Sequence, residues 1–143
     1  MTHLLRHYDR SNLKKYDSVC IYPLSLFRRT KRTFYAFMPS WVAEKVKRIE
    51  ITEYLYRNNQ KRHNLVGARH IRKFVATKMF ELGMPAEVID FIQGRVPRTI
   101  LARHYLNILP KAVQHYKRYA EWIKKELSNT CLLYTSPSPR DRG

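Results

Sequence analysis

Three stretches hold the residues whose types and spacing could do chemistry. Gly67–Gly83 carries Arg69, His70 and Arg72; Val88–Arg95 ends in Gln93-Gly94-Arg95; and Arg103-His104-Tyr105 follows. Arginine stays charged and offers a planar fork that fits phosphate oxygens. Tyrosine offers a phenol that becomes a nucleophile when its proton is drawn away. A fourth basic run, Arg28-Arg29-Thr30-Lys31-Arg32, lies earlier in the chain. Other chemistries lack their parts. With four glycines there is no glycine-rich phosphate loop, which argues against ATP-driven work. Cys20 and Cys131 form no C-x-x-C, and the six histidines (His3, His7, His63, His70, His104, His115) do not group as ligands. His3 and His7 have zinc-compatible spacing on a helix but no third ligand nearby, so no metal and no cofactor is expected.

The charge balance says what such residues would meet. Twenty-eight Lys+Arg stand against 11 Asp+Glu, a formal charge of +17 on 143 residues. That is too large for an ordinary enzyme acting on neutral metabolites, and it concentrates polyanions: nucleic acid or an anionic membrane surface. The chain is 44% apolar, which excludes a disordered tail, and its length fits one domain with a real core. No apolar run approaches the ~18 residues of a membrane span, and the N-terminus has no uninterrupted hydrophobic region. A soluble, unsecreted protein with no membrane partner is expected.

The elements that must position these residues are mostly helical. Ser18–Phe27 alternates, with Cys20, Tyr22, Leu24 and Leu26 on one side and Val19 and Ile21 on the other, so it reads as a strand. Pro23 demotes it to an edge or irregular strand. Thr33–Met38 is its partner, and the basic run between them makes a four- or five-residue connection. From Pro39 on the signals are helical: Ser40 as a cap, then Trp41, Val42, Val46 and Ile49 on one face. Asn58–Asn64 reads as a polar loop. Residues 67–82 form a central helix with the stripe Ile71, Val75, Met79, Leu82 and Gly83 as its C-terminal stop. Pro85 suits the first position of the next helix, which Gly94 ends, and Pro97 starts another through Leu106. Residues 111–129 are a last amphipathic helix on Val113, Tyr116, Ala120, Ile123 and Leu127. No strand is expected within 67–129. The body spans 1–130. Residues 131–143, ending in Ser/Pro/Arg, read as a disordered and non-native tail.

Taken together these motifs resemble the C-terminal catalytic domain of the tyrosine recombinases, the phage-integrase superfamily. The family pattern runs H-x-L-R-H-x-x-A-T, then a Gly after a short helix, then Gly-His or Gly-Trp, then Tyr nine or ten residues on. Here Ile71-Arg72-Lys73 matches the L-R-H step, Ala76-Thr77 matches A-T, and Glu81-Leu82-Gly83 matches the helix end. Gly94-Arg95 stands where Gly-His would, and Tyr105 follows Arg95 by ten. Lys31 lies eight residues before Pro39, close to where the family places a Lys on its β2–β3 turn. The wording Ala-Arg-His-Ile-Arg-Lys-Phe and Gln-Gly-Arg-Val-Pro-Arg is similar to integrases of archaeal viruses.

The resemblance implies a mainly α fold with a small β-hairpin and strand transfer through a 3′-phosphotyrosine. The link conserves bond energy, so neither ATP nor metal is needed. A phenol of pKa about 10 is only about one part in a thousand ionised at neutral pH and wants positive neighbours. The resemblance makes Tyr105 the nucleophile, Arg72 the second catalytic arginine and Lys31 the general acid. Arg69 takes the place of a His or Lys, and Arg95 that of the His or Trp after Gly. Both depart from the commonest pattern, and arginine is a poor general base; His70 and His104 are alternatives for that role. Arg28, Arg29, Arg32, Lys73, Arg98 and Arg103 would hold the backbone of double-stranded DNA, with self-association on DNA in the full-length protein. The setting implied is the cytoplasm of a prokaryotic cell. An arginine expected ahead of the hairpin in a T-G-x-R-like helix start is unmatched, Arg6 and Arg10 being its candidates. The expectation is therefore a weakly active fragment of a longer integrase. A basic helix-turn-helix protein built on residues 84–106, an RNA-binding protein and a type IB topoisomerase are the competing readings.

Overall fold

Alternation along Val19–Tyr22 sends apolar side chains to both sides of one strand, and both sides are buried. The computed structural model describes residues 2–97 and 102–135. A short α1 (Thr2–Arg6) and a 3-10 turn (Arg10–Asn12) lead into β1 (Lys14–Tyr16), β2 (Val19–Arg28) and β3 (Lys31–Pro39). The helices α2 (Ser40–Ala43), α3 (Glu53–Arg62), α4 (Ala68–Glu81) and α5 (Ala86–Ile92) follow. A two-residue β4 (Val96–Pro97) precedes α6 (Ala102–Leu106) and the long α7 (Leu109–Thr135). The strands form one antiparallel sheet in the order β1-β2-β3-β4. The fold is mainly α with a small sheet, as expected.

The sheet divides two cores. Val19 and Ile21 face the larger one, with Met79 of α4, Val88 and Phe91 of α5, and Tyr116 and Ala120 of α7. Cys20 and Tyr22 face the smaller one, with Tyr8, Met38 and Ala43. Each fully buried aliphatic or aromatic side chain contributes roughly 1.5–3 kcal/mol. Phe91 is the centre of the larger core: rings of Phe34, Tyr35 and Phe37 on β3 lie 6.1, 6.3 and 6.1 Å from its own.

Several expectations are corrected, each for a local reason. The hairpin connection is only Arg29-Thr30, with Arg29 at φ +52°, so Lys31 begins β3 instead of sitting in the turn. The left-handed residue lets a two-residue turn follow the twist of its strands. β1 pairs only with Val19–Ile21, which leaves the β1 side of Pro23 open, and the register slips between Pro23 and Leu26. The helix after Pro39 stops at Ala43, and Ser40 is not its side-chain cap. Beyond it Ile49 N donates to Leu5 O at 3.0 Å and Arg48 Nε to Arg6 O at 3.1 Å. The crowded cations Lys45, Lys47 and Arg48 are all exposed, and Arg48 reaches back to α1.

Asn58–Arg62 is helix, not loop. Thr52 caps α3 by accepting from Leu55 N at 3.2 Å, and Arg57 pairs with Glu53 at 3.5 Å. Pro85 stands at the N-cap, one residue before the helix proper. The rule against strands within 67–129 fails at Val96–Pro97, and Pro97 lies in β4 instead of opening a helix. The last helix runs to Thr135, past the change of character at Asn129. Tail residues 136–143 lie outside the described residues. α4, with its stop at Gly83 (φ +89°), matches its expected bounds closely.

Candidate active site

The end of α5 brings some of the candidate residues together and leaves others apart. Gly94 N donates to Phe91 O at 3.3 Å and Arg95 N to Asp90 O at 2.8 Å, the paired bonds that close a helix on a left-handed residue. Gly94 supplies that residue at φ +70°. It also lies against Thr33 of β3 so closely that a Cβ would collide with the threonine side chain. Glycine is needed twice here, once for the backbone angle and once for the approach. The chain reverses and pairs at once with β3: Val96 opposite Arg32, Pro97 opposite Lys31. Two positions that are distant in sequence, Lys31 and Arg95, are thereby brought to one corner of the sheet.

α4 joins the same corner through Arg72. Its guanidinium donates to the carbonyl of Gln93, and Gln93 Nε2 returns a bond of 2.9 Å to the Arg72 carbonyl. Gln93 Oε1 is buried beside it with no partner. Arg69, one turn earlier on α4, is exposed. Arg95 is exposed and borders a cleft of about 320 Å³ with Ala76, Thr77, Phe80, Ala86, Ile89 and Asp90. Among the described residues Lys31, Arg69 and Arg95 have no side-chain hydrogen bond or ion pair. Asp90 lines the same cleft as Arg95 but forms no ion pair with it among the described residues.

Tyr105 enters from α6. Its ring stacks on Phe91, with centroids 6.4 Å apart and planes at 2°, and it packs half-buried against the larger core. Its hydroxyl has no hydrogen-bond partner among the described residues. Other tyrosines are placed differently. Tyr116 is buried, which pushes its phenol well up, and its hydroxyl donates to Phe37 O at 3.4 Å. Burial likewise raises Tyr119 and Tyr8. Tyr22 accepts from Asp9 N at 3.0 Å. No described contact joins Tyr105 to a side chain of Lys31, Arg69, Arg72 or Arg95.

The expected DNA contacts divide. Arg29, Lys73 and Arg103 are exposed, on the hairpin turn, α4 and α6. Arg32 is folded inward, its guanidinium 5.5 Å from the centre of the Phe34 ring. For Arg28 the side chain, and for Arg98 the whole residue, lies outside the described residues. Arg6 and Arg10 are on the α1 side: Arg6 O accepts from Arg48, and Arg10 borders a cleft with His7, Asp9 and Lys47.

Sequence reasoning missed Gln93, Thr33 and Glu87. Glu87 Oε1 is 2.9 Å from His104 Nε2. Its rarity was a usable signal, one of 11 acids in a chain of this charge. Among the described residues no group of His, Cys, Asp and Glu could hold a metal ion, and no helix is long and apolar enough to cross a membrane. No curated protein matches the chain. A family model described as archaeal phage integrase matches residues 1–122, which takes in the hairpin, the Arg72 helix, the Gly94 turn and Tyr105. The chain belongs to the archaeal phage integrase family.

Proposed function

We propose that residues 1–130 act as a catalytic unit that cuts and rejoins duplex DNA through a covalent tyrosine link. Tyr105 Oη forms a bond to the scissile phosphorus while the bond to the 5′ oxygen breaks. The phenolic proton leaves to solvent, eased by the surrounding cations, and the departing 5′ oxygen takes a proton from Lys31. Arg69, Arg72 and Arg95 balance the charge that gathers on the non-bridging oxygens. Rejoining is the same step in reverse, with a 5′-hydroxyl as attacker. Arg28, Arg29, Lys73, Arg98 and Arg103 hold the DNA backbone on either side, while Arg32, expected among them, packs on Phe34.

The observation that carries this reading is the convergence on one short turn. The Gly94–Val96 segment pairs with the start of β3, is bonded by Arg72 of α4, and follows the helix on which Tyr105 stacks. Lys31 and Arg95, which form no ion pair among the described residues, stand at this corner, and such cations are what a phosphate requires. The arginine that the family pattern asks for ahead of the hairpin has no counterpart at this corner, so turnover by this chain is expected to be slow.

The test is a pool of nicked duplexes randomised around the nick, incubated with the chain and run on denaturing gels. A slowly forming protein–DNA adduct is expected, and Tyr105→Phe abolishes it. Arg72→Ala lowers its rate on the order of 10²–10³. An adduct that survives Tyr105→Phe overturns the choice of nucleophile. Binding without any adduct overturns strand cleavage and favours a DNA-binding role alone. Binding itself should weaken steeply with salt, because phosphate contacts release counterions.

A further inference from the structure

α5 and α6 meet through two consecutive residues of α6. His104 Nε2 lies 2.9 Å from Glu87 Oε1, and next to it Tyr105 stacks on Phe91. Glu87 and Phe91 are four apart on α5 and so stand one turn apart on the same face. α6 is only five residues long, too short to keep a direction without outside contacts. A ring stack fixes the separation of two rings but leaves sliding and rotation in the plane. A second contact one turn away removes those motions. Glu87 is itself steadied, since it sits in the first turn of α5, where the helix dipole favours a carboxylate.

We propose that Glu87 is a positioning residue for Tyr105, acting through its hydrogen bond to His104. The proposal rests on Tyr105 as the nucleophile. Glu87 touches no reacting atom; it sets where α6 presents the phenol. Both side chains of the pair are about half exposed, so solvent screens it and the effect is modest.

The experiment uses the whole chain and the randomised nicked duplexes. Glu87→Ala is expected to slow adduct formation at saturating DNA by roughly three- to tenfold, with the half-saturating DNA concentration unchanged. Glu87→Gln keeps an acceptor for His104 while removing the charge, and is expected to stay within about twofold of the parent. His104→Ala should match Glu87→Ala, and adding Glu87→Ala to it should cost nothing more. A readout independent of cleavage is nitration of Tyr105, followed by peptide mass: Glu87→Ala speeds it and Glu87→Gln does not. The proposal falls if Glu87→Gln is as slow as Glu87→Ala, if the two alanine effects multiply, or if nitration is indifferent to Glu87. If an adduct forms through Tyr105 regardless of Glu87, the proposal falls and the nucleophile stands. If nitration follows the pattern but no variant gives an adduct, the positioning stands and the nucleophile assignment falls.

Discussion

Phe91 and Phe74 are both phenylalanines on amphipathic helices, yet Phe91 has no exposed surface and Phe74 is 52% exposed. Phe91 has β3 in front of it and α6 beside it, so its ring meets four others. Phe74 has α3 as its neighbour across a groove of about 670 Å³, shared with Tyr56, Leu65, Val66 and Ile71. α3 buries no residue at all. Behind Phe74 the support is thinner: Trp122 at 6.5 Å and the Lys78 ammonium at 5.8 Å. Helical period marks a face as apolar in both places. What separates them is whether the sheet stands opposite that face.

Five substitutions sharpen this contrast. Phe91→Ala should cost about 3–5 kcal/mol in urea unfolding, because it opens a cavity among rings that cannot all collapse. A loss under 1 kcal/mol would dissolve the distinction between the two regions. Gly94→Ala should cost about 2–4 kcal/mol, from the left-handed angle and the collision with Thr33. Combining it with Thr33→Ala should restore part of that, and a purely additive double variant would show that the contact is not the cause. On the α3–α4 side Leu55→Gln and Leu65→Gln should each shift stability by no more than about 0.5 kcal/mol, measured in the same way. A large loss there would show that the groove is closed in solution.

The smallest expected effect is on pH. Burial, together with Arg118 and Lys111, lowers the proton affinity of His115 below its ordinary value of 6.5. The folded state therefore prefers the neutral ring. The stability this gives is present above that ordinary value and is lost as pH falls through the lowered one. His115→Gln should flatten that acid-side loss, read from unfolding midpoints at neutral and mildly acid pH. An unchanged slope would remove His115 from the account.

Much of this was legible in the sequence where a pattern repeats within one element. The stop at Gly83, the two-sided alternation at Val19–Tyr22 and the Val75, Met79 and Leu82 part of the α4 stripe are local signals that the structure follows, whereas Ile71 of that stripe lies half exposed in the groove. Family membership was legible too, in the order of Ile71-Arg72, Gly94-Arg95 and Tyr105. Boundaries set by partners were not. Nothing near Pro97 announces a strand, because β4 exists only where Lys31 and Arg32 lie alongside. The early end of α2 depends on carbonyls of Leu5 and Arg6 far back in the chain. The ties among the candidate residues were hidden for the same reason: Gln93 and Glu87 are unremarkable by type and gain meaning only from Arg72 and His104 across a gap.

The pairing of Lys31 with Pro97 also bears on how the protein is made. Everything from β3 to β4 lies between the two residues, so the loop they close is the longest among the strand pairings of the described fold. Chains emerge from the ribosome N-terminus first, and long-range pairings form late. The residues of the hairpin and of the two-sided strand β2 are therefore synthesised before Gly94, Arg95 or Tyr105. A nascent chain that ends before Gly94 carries the basic turn, but it lacks the left-handed residue on which the chain reverses to pair β4 with β3. The sequence puts three strands of the sheet first and the short strand that completes its edge much later.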